Sequence, residues 1–234
     1  GTTAFLNTGT VTLGNEAGDS TTFVGGVTAT APSAINIAGT VAATSGASTI
    51  TLGDSNTGVS VTDNATVGGT ATGLISLGDV VIADGKTLIV GTGIANAIEL
   101  DAVSGVALGT LSNLTINTTG TATVSGAVGT NIGTVTVTNS GGATFSNTVN
   151  AANVAIADTT DGQTVAFQGN LTVGTGMTVA AGGPYNVSLT GASNSIAGST
   201  TFANTGTVTL GAAGSTTTFI GGLTATAPSA VHTA

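Results

Sequence analysis

Apolar residues in this chain come in pairs two positions apart, and each pair is soon followed by a turn. Val11/Leu13, Ile35/Ile37, Ile50/Leu52, Val59/Val61, Ile98/Leu100, Leu114/Ile116 and Leu171/Val173 all follow this spacing. An i, i+2 pair places two side chains on one side of an extended strand. Gly, Asn, Ser and Asp cluster after most pairs and supply the turns. No stretch carries an apolar stripe at i, i+3, i+4 with helix caps. Only Pro32, Pro184 and Pro228 interrupt strand pairing. The chain is therefore expected to be all-β and built from many short strands.

A long repeat narrows the choice. Asn7 to Gly14 reads NTGTVTLG, and the same eight letters return from Asn204 to Gly211. Thr21 to Ala34, TTFVGGVTATAPSA, returns as TTFIGGLTATAPSA from Thr217 to Ala230. The offset is 197 residues at Asn7/Asn204 and 196 at Phe23/Phe219, so one residue is lost in the intervening loop. Val24 becomes Ile220 and Val27 becomes Leu223. Both changes keep a branched apolar side chain, which reads as two buried strand positions. A fainter echo, NIGTVTVTNSGGATF, runs from Asn131 to Phe145. The strand text persists there while the loop length varies, so the true unit is shorter than the long repeat.

Three architectures accommodate short strands and frequent turns. A transmembrane barrel needs aromatic girdles and strands of about ten residues. The six Phe and one Tyr here are scattered. A β-sandwich leaves the repeat without explanation. A β-solenoid accounts for both features. Rungs of ~20 residues stacked ~4.8 Å apart give roughly 12 rungs and a rod about 55 Å long. Residues 1–234 read as one solenoid segment, expected to belong to a longer repeat protein.

Composition excludes several functions. Charged residues are 5% of the chain, against about 25% in ordinary domains. With Lys86 as the sole Lys or Arg and a net charge of −9, the counterion exchange that drives nucleic-acid binding is missing. Anionic lipid surfaces are disfavoured in the same way. No run of 18 apolar residues forms a membrane-spanning helix, and the absence of Cys removes disulfides and thiolate metal sites. The hydrophobic share of 40%, rich in β-branched residues, argues against disorder.

No catalytic, cofactor-binding or metal-binding residues are assigned. The acids are Glu16, Asp19, Asp54, Asp63, Asp79, Asp84, Glu99, Asp101, Asp158 and Asp161. Asp79/Asp84 and Asp158/Asp161 are the closest approach to a calcium pattern, yet the β-roll nonapeptide does not occur. The plainer reading is that these carboxylates keep a neutral rod soluble. Glycoside hydrolysis by paired acids normally comes with sugar-holding Arg, Trp and Tyr, which this chain lacks apart from Tyr185. His232, the single His, stands where the first copy has Asn36 and reads as an exposed turn or end residue. Thr-x-Thr triplets suggest an ice-binding face, but they are about as frequent as the Thr content alone would give. The Asn-x-Thr/Ser triplets at Asn64, Asn113, Asn117, Asn170 and Asn186 read as a by-product of composition.

NTGTVTLG, GTVTVTNSGG and TVNAANVAIAD resemble the passenger regions of bacterial autotransporters. They are similar in style to filamentous-haemagglutinin-type exoproteins, rickettsial outer-membrane-protein-B-like antigens and some S-layer proteins. The resemblance is compositional and spans the whole chain. It implies a right-handed parallel β-helix outside a bacterial cell, serving adhesion or a surface coat. Expected partners are its own copies end to end, neighbouring repeats, or a host or cell-surface receptor. A self-assembling filament, sheath or S-layer subunit is the alternative. Ice or glycan binding is the weaker third reading.

Overall fold

The computed structural model describes all 234 residues and contains 27 strands and no helix. Every strand pairing is parallel, so the chain winds into a β-solenoid. No helix is long and apolar enough to cross a membrane.

Three columns of strands surround the core. The first face stacks eleven strands, from Thr3–Ala4 through Val27–Ala29 and Ile50–Leu52 to Thr207–Leu210 and Ala230–Thr233. The second face begins with Thr10–Leu13 and ends with Thr216–Phe219. The third begins with Ser20–Phe23 and ends with Leu223–Thr224. The second and third faces are hydrogen-bonded into one 16-stranded sheet because long strands run through their shared corner. Ala34–Ala43 does so with a register shift between Ile37 and Gly39, and Val149–Ile156 with one between Ala151 and Asn153. A bulge at that point bends the strand and turns its next side chains inward.

Eleven strands on the first face bound ten turns. Counted along the first face, each turn takes 21 to 25 residues, as between the stacked pairs Ala122/Ala143 and Ile50/Ile75. The expected 12 rungs of 20 residues are thus corrected to ten longer ones, and the rod to about 48 Å. The excess lies in the corners. Gly78 and Asp79 alone join two strands, whereas six residues separate Val103–Gly105 from Ser112–Asn117.

The inward side chains form a single core of 51 buried residues running through all the turns. The i, i+2 pairs supply it: Ile35, Ile37, Ile50, Leu52, Leu114 and Ile116 are fully buried. Identical or similar side chains stack from turn to turn, as Phe145 on Phe167, with ring centroids 4.8 Å apart and an interplanar angle of 4°. Of the repeat positions expected to be buried, Val27 is, while Leu223 in the last turn is 41% exposed. Val24 and Ile220 are 66% and 68% exposed rather than buried. Each lies just past a strand, beside a Gly-Gly turn, so the chain has already left the inward-facing pattern.

The long repeat does not return to the same face. Val11 sits on the second face, stacked on Ile35, whereas Val208 sits on the first, between Val187 and Val231. Phe23 belongs to the third face and Phe219 to the second. In the echo, Val135 lies on the third face and Phe145 on the first. One strand text therefore occupies each of the three faces in turn. The repeat spans eight and two-thirds turns.

Neighbouring residues of one strand provide a test of this inward/outward assignment. Val179 points into the core and Thr178 outward. Thr178→Asp should leave stability within ~0.5 kcal/mol, while Val179→Asp should cost about 3–5 kcal/mol or abolish folding, because it buries an unpaired charge. Chemical denaturation of the two variants measures the difference.

Candidate binding surfaces

Outward side chains line up as the inward ones do. The middle positions of the first face run Thr28, Thr51, Ser76, Glu99, Thr123 and Thr144 on successive turns. On the third face the column runs Thr40, Thr66, Ile89, Thr115, Thr136, Ala155, Thr178 and Thr201. Triplet counting could not find these columns, because they arise between turns rather than along the chain. Parallel stacking spaces their hydroxyls ~4.8 Å apart.

A surface groove of about 430 Å³ follows the first-face column and the corner beside it. Its lining includes Thr51, Ser76, Asp54, Glu99 and Asp101, with only Leu77 and Leu100 apolar. Two of its acids are already engaged. Asp54 accepts the backbone N–H groups of Asn56 (2.8 Å) and Thr57 (3.0 Å), closing its own turn. Asp101 accepts the Ser125 hydroxyl at 2.8 Å. Glu99 is exposed on the column. The groove thus offers hydroxyls and carboxylate oxygens to a polar ligand.

The structure separates one of the two acidic pairs. Asp79 lies at the first-to-second corner and Asp84 at the second-to-third corner. Asp158 and Asp161 share one turn, and their carboxylates occupy the space above Gly182 and Gly183 of the next turn, where a Cβ would collide with them. No three acids or His converge. Of the loop acids Glu16 and Asp19, Asp19 is explained by hydrogen bonding. Asp19 accepts from the N–H groups of Asn15 (2.8 Å) and Glu16 (3.2 Å), and in the second copy Ser215 accepts from that of Ala212 at 2.7 Å. A short polar acceptor suffices, so charge is not kept. Lys86 pairs with Asp63 at 2.7 Å, and its hydrogen bond, with that of the Asn64 backbone, holds the Asp63 carboxyl below its usual range. His232 is exposed, as expected, but lies in a strand stacked on Thr209 rather than in a turn.

Asn residues read as compositional chance have structural work. The side-chain oxygens of Asn64, Asn113, Asn170 and Asn186 accept the backbone N–H of Thr87, Thr134, Ser193 and Thr207, each one turn on, at 2.8–2.9 Å. They satisfy donors at strand starts and, for Thr134, at a register shift, where the ladder is incomplete.

A second missed feature is the polar lining of the third-to-first corner. Asn96, Thr118, Ser140, Thr159, Tyr185 and Asn204 are buried there on successive turns. Asn96 donates to the Ala71 and Gly73 carbonyls (2.8 and 2.6 Å), and Thr118 to those of Ile94 and Asn96 (2.8 and 2.5 Å). Ser140 and Thr159 share a hydrogen bond of 2.9 Å, and Asn204 donates to Tyr185 carbonyl at 2.8 Å. Buried turn carbonyls need partners, and these side chains provide them. No common sequence signal marks them: Asn96 stands two residues before Ile98, whereas Thr159 stands six before Val165 among other polar residues.

The remaining irregularity is an exposed apolar loop. Val106, Leu108 and Leu111 protrude at the second-to-third corner, with Leu108 fully exposed. The only non-glycine residues at positive φ are Leu108, Thr130 and Asn131, on that corner of two successive turns. Asn131 braces the loop by donating to the Val106 carbonyl at 2.8 Å.

No family model, curated protein or solved structure matches this chain.

The polar corner can be probed through its one tyrosine. Tyr185 donates to the Ala180 carbonyl at 2.6 Å, and its phenol is pushed up to about 12, by burial first and the nearby Asp158 charge second. The fold prefers the protonated phenol, so its contribution to stability is present below pH ~10 and is lost as pH rises through about 12. With one Tyr and no Trp, ultraviolet titration reads this residue alone. The midpoint should lie well above the ordinary 10.0 in the native protein and return to it in denaturant.

Proposed function

We propose that this chain is part of a structural and adhesive rod on the outside of a bacterial cell. The observation that carries this reading is the use of the sequence for stacking. A single core of 51 residues runs through ten turns, and the recurring text keeps its inward side chains on whichever face it lands. The resemblance to autotransporter passengers and related exoproteins supports the location and the adhesive or coat role. The acidic groove and hydroxyl columns are surfaces on which such a rod could present hydrogen-bonding groups to a host or cell-surface receptor.

Assembly into a filament, sheath or surface layer is a second reading, favoured by a core whose stacking repeats from turn to turn along the whole rod. Ice or glycan binding rests on the hydroxyl columns alone and is the weakest of the three.

Protease treatment of intact producing cells tests the location. The chain should be shaved from intact cells and recovered as protected fragments of whole turns. Resistance until the cells are lysed would overturn the surface reading. Electron microscopy of the purified chain should show thin rods about 48 Å long, singly or in strings.

A further inference from the structure

We infer that two copies of this chain pair side by side through their third faces. This rests on the assembly reading above and names the surface that carries it.

The third face is the one broad uncharged surface of the rod. Its outward positions form two columns. One is the row from Thr40 to Thr201 described above. The other, two residues ahead on each strand, holds Thr87, Asn113, Thr134, Asn153 and Gly176. All ten acids lie at corners except Glu99, which stands on the first face. Lys86 is at a corner as well. The second face is also free of charge, but it is narrow. In its middle, Val80–Ile82 and Val103–Gly105 offer one outward residue each, Val81 and Ser104. The third-face strands of the turns beside them, Ser112–Asn117 and Ile132–Asn139, are six and eight residues long.

Charge, area and spacing together select the occupant. A chain of net charge −9 repels its own copies, and an uncharged face lets two of them touch without setting carboxylates against each other. The column from Thr40 to Thr201 covers eight turns. Stacked ~4.8 Å apart, with about four residues of strand across, they make a face of roughly 500 Å². Two such faces bury about 1,000 Å², the lower bound for a specific interface, so the pair is weak and concentration-dependent. Both copies carry the same ~4.8 Å repeat, so the rows of one settle between the rows of the other. A partner without that repeat would meet the rows out of step. Ile89 and Ala155, half-buried in the column, add apolar contact to the Thr methyl groups.

Single aspartates map the contact. Thr136→Asp and Thr178→Asp place a charge on the third face, Thr144→Asp on the first and Thr172→Asp on the second. All four positions face outward, and each variant adds the same single charge, so the variants differ only in place. In sedimentation equilibrium the unsubstituted chain should pass from monomer to dimer as concentration rises. The two third-face variants should weaken that dimer roughly tenfold or more, and the other two should leave it unchanged. Thr136→Asp protein mixed with Thr136→Lys protein should pair again, which a damaged fold would not do. Raising salt should tighten the unsubstituted dimer, because it screens repulsion between charges that lie outside the joint. Equal weakening by all four aspartates, or weakening by the first- or second-face variants alone, would overturn the third face while leaving assembly intact. A monomer at every concentration would remove both the pairing and the assembly reading, and leave the hydroxyl columns to a ligand.

Discussion

Everything in this fold depends on the hydrogen bond between a residue and its counterpart one turn away. Of the 139 backbone hydrogen bonds, those between turns fix each strand directly above its predecessor. Parallel pairing at this spacing forces each side chain to lie on another from the same position of the coil. Side-chain selection then becomes a matter of columns. Inward columns accept whatever apolar shape fits its neighbours above and below, and outward columns accept small hydroxyls that tolerate close packing along the rod.

Column logic explains the chemistry of the corners as well. A corner cannot complete the ladder, so its carbonyls and N–H groups need other partners. Asn64, Asn113, Asn170 and Asn186 meet this need outside, and Asn96, Thr118 and Asn204 meet it inside. The chain therefore has few long charged side chains and many short polar ones. Short side chains reach a neighbouring backbone at little cost in rotamer entropy.

The inward pairs were legible in the sequence because strand alternation is local: Ile35/Ile37 and Leu114/Ile116 need no knowledge of the partner strand. Turn length was not, because it is set by corners that vary from the two residues Gly78 and Asp79 to the seven between Val90 and Ile98. The exposure of Val24 was misjudged for a related reason: conserved apolar character in two copies does not say on which side of a strand end a residue falls. The hydroxyl columns and the Asn ladder exist only between turns, so no window along the chain contains them. The shift of the repeat between faces is likewise visible only once turns are counted.

The single-file connection between turns has a mechanical consequence. Each turn contacts only the turns before and after it. A pull on one end therefore loads the terminal turn alone, and that turn can peel away while the rest stays wound. A freed turn of 21 to 25 residues stretches to about 75 Å, roughly fifteen times the rise it occupied in the stack. Under tension such a rod behaves as a reel, paying out chain in steps and keeping its remaining length stiff.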